Sequence, residues 1–188
     1  MRLVSGLLAL IGLVAIIAVG YAAWTFREFD PKAGSVYWNM AKRLAETGNA
    51  VEATVWRRKV EDGLSFEEVE ESIKSVAATE NIRAVGELPL GDQVTLMREE
   101  EWRKLGIYLY CNPLTAAKMV EYSEAYSAWL PCRVSLVEDA DGALWLYSLD
   151  MDMMIYGGKP LPPDLKEEAM HVKDVILAIL DGAAEGSF

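Results

Sequence analysis

Two hydropathy regimes divide the chain. From Leu3 to Trp24 apolar residues follow one another with only Ser5 and three glycines breaking the run, whereas from about Val51 onward they recur at spacings of two, three or four. A run of about 22 residues, rising 1.5 Å each as a helix, reaches roughly 33 Å and matches a hydrocarbon core of about 30 Å. Tyr21, Trp24, Phe26 and Phe29 at its end read as an interfacial aromatic belt. The pattern predicts one uncleaved transmembrane helix, residues 1-26, that ties the chain to a membrane. Arg2, Gly20 and Ala22 also fit a secretory signal peptide, but the stretch is long for one and runs on into the belt. Arg2 and the amino terminus on one side face Arg27, Lys32, Lys42 and Arg43 on the other, so positive charge alone does not orient the span. Read as a signal anchor, it makes a single pass with the domain in a periplasm.

Residues 27-50 form a juxtamembrane connector. Val36, Met40 and Leu44 at i, i+4, i+8 predict an amphipathic helix over 35–47, ended by Gly48 and Asn49. Tyr37 and Trp38 suit it equally to a membrane surface and to docking on the domain. Residues 51-182 carry the periodic pattern, and 183-188 are a C-terminal tail. A strand is predicted over 52–60. Ser65 and Glu68 then form a capping box, with Leu64 and Val69 as a hydrophobic staple, and open a helix to Thr79 whose face is Phe66, Val69, Ile73, Val76 and Ala77. A strand over 82–88 ends at Pro89, and the charged stretch 92–104 is partly helical. A strand over 107–111 leads to Asn112 as N-cap and Pro113 at N1 of a helix expected to reach about Ala128 before Pro131. Residues 132–138 and 143–149 make a hairpin about Asp139 to Gly142. Leu165, Ala169, Val172, Ile176 and Ile179 give the last helix its core face. This order describes an α+β domain with a largely antiparallel sheet and helices packed on it.

Composition narrows the function. A net charge of -11 argues against nucleic acid and against tight docking to anionic headgroups. Two cysteines and one histidine cannot build a zinc site of the usual kind within one chain. Cys111 and Cys132 end and begin strands about 20 residues apart. They read as a disulfide in an oxidising compartment, as a pair of buried thiols, or, lacking a Cys-X-X-Cys spacing, least readily as a redox pair. Met151, Met153 and Met154 stand close together; thioethers hold copper(I) or a haem iron, although methionine far more often fills a core or an adaptable interface. His171, beside the apolar face of the last helix, is the one histidine that could join them.

Tyr110-Cys111-Asn112-Pro113-Leu114, then Leu130-Pro131-Cys132-Arg133-Val134, then Glu138-Asp139 with Gly142, together resemble the domain of unknown function 302 family over roughly residues 51–180. The resemblance implies a small α+β fold similar to the TATA-box-binding-protein-like group, a homodimer, and no established reaction. Its membrane-anchored bacterial members add weight to a periplasmic domain. Three function classes follow. The first is a non-enzymatic, membrane-anchored binding or assembly module, homodimeric or an accessory subunit of a membrane complex. The second is a haem- or copper-binding redox carrier that uses methionine and histidine ligands at a dimer interface. An enzyme acting on a small sulfur or lipid substrate comes last, since Cys111 and Cys132 are its only candidate nucleophiles.

Overall fold

The computed structural model describes residues 2–187 and, within the first helix, the side chains of residues 4, 6 and 9 onward. That helix, α1 (Arg2–Thr25), is 24 residues long, and its large apolar side chains between Leu10 and Val19 are exposed. The side chains of Leu3, Ser5, Leu7 and Leu8 in the expected span lie outside the described residues. Among the described residues no helix is long and apolar enough to cross a membrane, so the crossing expected of α1 rests on the sequence.

The connector helix α2 (Ala33–Thr47) stops where Gly48 turns left-handed at φ 68° and its N–H closes on the Leu44 carbonyl at 2.8 Å. The helix docks on the domain: the Tyr37 hydroxyl donates to the Gly157 carbonyl at 2.7 Å, and the Arg43 guanidinium meets Asp150 at 3.3 Å. Trp38, on the opposite side, is 72% exposed.

Five strands, β1 (Val55–Lys59), β2 (Arg83–Leu88), β3 (Leu105–Cys111), β4 (Cys132–Glu138) and β5 (Leu144–Leu149), pair antiparallel in the order β1-β5-β4-β3-β2. Between them run α3 (Phe66–Thr79), α4 (Leu90–Arg98) and α5 (Pro113–Tyr122); α6 (Asp152–Tyr156) and α7 (Pro163–Ala184) follow β5. Side chains alternate across a pleated strand, so β3, β4 and β5 send Tyr108, Tyr110, Val134, Leu136 and Leu146 to one face, all buried. That face is covered by Val69, Ile73 and Ala77 of α3 and by Ala169, Val172, Ile176 and Ile179 of α7. Each such fully buried aliphatic side chain contributes about 1.5–3 kcal/mol relative to exposure. The opposite face, with Ile107, Leu109, Val137, Trp145 and Tyr147, is only half-buried. The α+β class and the antiparallel sheet read from the sequence are present, as is the Ser65–Glu68 capping box.

Five elements depart in presence or extent from the expected pattern. Glu52–Thr54 is a turn of 3-10 helix, and the first strand begins only at Val55. In the charged stretch α4 starts at Leu90 and stops at Arg98, because Glu99 adopts a left-handed conformation at φ 56°. Gly91 at its start lies so close to the chain before β3 that a Cβ there would sit 2.7 Å from the Leu105 nitrogen. The helix opened by Asn112 ends at Tyr122, where Ser123 is extended. The 3-10 segment Glu124–Ala128 that replaces its last turns lets the Tyr126 hydroxyl reach the Met154 carbonyl at 3.2 Å. Finally, the methionine-rich segment forms α6, an element no periodicity announced, and α7 continues into the expected tail as far as Ala184.

Candidate functional site

The site grows from both motifs of the sequence. β3 carries Cys111 to its last position, and Asn112 then starts α5, its side-chain oxygen accepting the N–H groups of Leu114 at 3.1 Å and Thr115 at 3.3 Å. Those two bonds satisfy helix donors that would otherwise be unpaired. Pro113 takes the first helical position, and the inner face of α5 presents Thr115 and Met119. Leu130 and Pro131, joined by a cis peptide, lead into Cys132 at the start of β4. Beside β4 in the sheet, β5 runs out through Asp150 to Met151, and α6 turns Met154 inward. α7 closes the space with Ala169 and Val172.

These elements line a partly open cavity of about 20 Å³. Five sulfur-bearing residues line it: Cys111, Cys132, Met119, Met151 and Met154. A volume of that size admits one water-sized occupant. Oxygen donors at its edge are already engaged, Asn112 as the helix cap and Thr115 through its hydroxyl, which donates to Glu168 at 3.1 Å. Among the described residues no buried side-chain nitrogen or oxygen lacks a partner. Burial pushes the Cys132 thiol up to about 11, helped by the neighbouring Cys111, and burial also raises Cys111. Both are therefore neutral thiols at pH 7, and neutral thiols are poor nucleophiles. Among the described residues no three His, Cys, Asp or Glu side chains are grouped to share a metal ion.

The structure divides the candidate residues read from the sequence. Cys111, Cys132, Met151, Met154 and Leu130 meet at the cavity. Met153 lines a groove of about 90 Å³ beside Arg43, Trp56 and Trp129, and shares with Met154 a wider one of about 440 Å³ beside Tyr122 and Tyr126. His171 is exposed on α7 and joins neither. The disulfide weighed from the sequence is not formed: both cysteines are free. Cys132 stands directly opposite Tyr110 in the β3–β4 ladder, which leaves Cys111 one residue out of register. Met119 escaped the sequence reading, although it lies four residues after Thr115 and so shares its helix face.

The connector reaches the same region. Asp30 is buried, and its carboxylate accepts the Lys32 N–H at 2.9 Å and pairs with Lys166 of α7, while its own N–H donates to Gly158 at 2.8 Å. Burial alone would raise its pKa, but Lys166 and the Lys32 N–H outweigh that and hold the carboxyl below its ordinary range. The buried ring of Tyr156 lies under the ammonium groups of Lys32, Lys166 and Lys173, at 4.7, 5.1 and 5.7 Å. Lys173 also pairs with Asp152. Asp150, facing Arg43, has its pKa raised by burial and by the neighbouring Asp152. Residues 30–43 thus grip the segment that supplies Met151 and Met154.

A five-stranded antiparallel sheet backed by two helices, with a sulfur-lined cavity at the α5–β4 corner, makes this a small α+β domain. The chain belongs to the family described as Domain of unknown function DUF302, whose model matches residues 56–183. It is similar in fold to the crystal structure of the uncharacterized conserved protein DUF302 from Bacillus stearothermophilus, with a TM-score of 0.54 and 18% identity over 69% of this chain and 98% of that one. No curated protein matches the chain.

Proposed function

We propose that the protein is a membrane-anchored, non-enzymatic binding module whose ligand site is the sulfur-lined cavity. In this reading α1 crosses the bilayer once, the domain faces the periplasm, and the protein works as a homodimer or as an accessory subunit of a membrane complex. The observation that carries it is the grip of the connector on the site: the segment leaving the apolar helix bonds to Asp150, Gly157 and Gly158, on either side of the methionines that line the cavity. The neutral thiols favour binding over nucleophilic catalysis. The half-buried sheet face with Ile107, Leu109, Trp145 and Tyr147 suits a second copy. Against nucleic acid stands the net charge of -11. Of the two cofactors weighed from the sequence, the five sulfur-bearing residues of the cavity favour copper.

Two measurements test the proposal. The full chain is expected to stay in the membrane pellet after alkaline carbonate, and a chain lacking residues 2–26 to be released. Native mass spectrometry of the detergent-purified full chain is expected to show a small adduct, lost when Ala116→Leu fills the cavity. Release of the full chain by carbonate would remove the anchor, and a bare mass in every preparation would remove the binding site.

A further inference from the structure

We infer that the occupant of this cavity is a single copper(I) ion, held by Cys111 and Cys132 with one or two of the thioethers of Met119, Met151 and Met154 completing its shell. The inference rests on reading the cavity as the ligand site and names what enters it. Three observations carry it. The first is size: the space of about 20 Å³ takes one ion or one water. The second is donor chemistry: five of the lining residues bear sulfur, and the nearby oxygens of Asn112 and Thr115 are committed to helix capping and to Glu168. Soft thiolate and thioether ligands select copper(I), whereas magnesium, calcium and manganese want oxygen and zinc wants thiolate, imidazole or carboxylate.

The third is charge. The thiolate is the strong sulfur ligand, so one cysteine gives up its proton to solvent as the ion enters, while the other keeps its proton and contributes a weaker, neutral sulfur donor. One univalent cation and one thiolate leave an apolar cavity uncharged, which avoids the cost of burying net charge. Electrons are not exchanged, and no oxidant or reductant is consumed. The set also accounts for a pair of cysteines that lie at one cavity without being bridged.

The test titrates the reduced full chain in detergent, without oxygen, with copper(I) in competition with a calibrated copper(I) chelator. One equivalent is expected to bind, while zinc(II) is not retained. Cys111→Ser and Cys132→Ser should each lower the affinity about 100-fold, and Met151→Leu with Met154→Leu about tenfold. His171→Ala should leave it unchanged, and thermal unfolding identifies any variant that fails to fold. Cys111, half-exposed at a strand end, provides the variant that keeps the core intact. Failure to compete with the chelator, affinity that ignores both cysteines, or affinity lost with His171 would each overturn the ion. If copper(I) fails while an adduct sensitive to Ala116→Leu persists, the ion is wrong and the cavity remains the ligand site. If neither is seen, both readings fall.

Discussion

Replacing Asp30 with Asn tests the grip of the connector on the domain. The side chain of Asp30 is 2% exposed and that of its partner Lys166 28%. Asn keeps the shape and an oxygen for the Lys32 N–H at 2.9 Å, so the change removes chiefly the ion pair with Lys166. Breaking a fully buried pair costs about 3–5 kcal/mol because the surviving charge is stranded. Lys166 can turn partly to water, so about 2–3 kcal/mol is expected here, which for a domain of this size lowers Tm by roughly 4–12 °C. The pH dependence has a definite sign. A carboxyl whose folded pKa is depressed adds stability that is complete above its unfolded value of about 3.9 and is lost as pH falls through the folded one. Urea unfolding of wild type and Asp30→Asn should therefore differ at pH 7 and converge as the pH falls through the lowered pKa of Asp30, and limited proteolysis should cut the variant's connector first. A difference below about 0.5 kcal/mol at pH 7, or one that widens in acid, would refute the clamp.

Four further outcomes follow from other parts of the fold. Ser65→Ala removes the capping hydroxyl of α3, whose oxygen accepts the Glu68 N–H at 3.2 Å, and should cost about 1 kcal/mol by urea unfolding. Ile179→Ala, at a fully buried position on α7, should cost about 2–5 kcal/mol in the same assay. Gly91→Ala forces a methyl against the backbone at Arg103 and Leu105, and about 1–3 kcal/mol of destabilisation is expected. With its thiol pushed up to about 11, Cys132 in the native reduced protein should react with iodoacetamide at pH 8 roughly 200-fold more slowly than an ordinary thiol, and unfolding in urea should abolish the difference.

Legibility in the sequence tracked the range of the interaction. Local signals were readable: the capping box at Ser65 and Glu68, Asn112 before Pro113, and the turn closed by Gly142 all act within a few residues and stand where expected. Breaks imposed by tertiary contact were not. Nothing near Ser123 stops a helix, and α5 ends there because Tyr126 is drawn to Met154, 28 residues away. The five-residue α6 is too short to show a period, and it is held by Lys173, Tyr126 and the connector. The candidate site was half visible. Both cysteines and the methionine cluster could be singled out by type, but the turn of α6 decides that Met151 and Met154 face Cys111 and Cys132 while Met153 faces Trp129. His171 looked available as a ligand because it borders an apolar face, yet one position on a helix turns a side chain by about 100° and sends it to solvent.

Copper K-edge X-ray absorption of the full chain loaded with one equivalent of copper(I) bears most directly on the sulfur-lined cavity as the working site. A first shell of sulfur alone is expected, which loses scatterers in Cys132→Ser and is unaltered in His171→Ala. Nitrogen or oxygen in that shell, or a spectrum indifferent to Cys132, would contradict it.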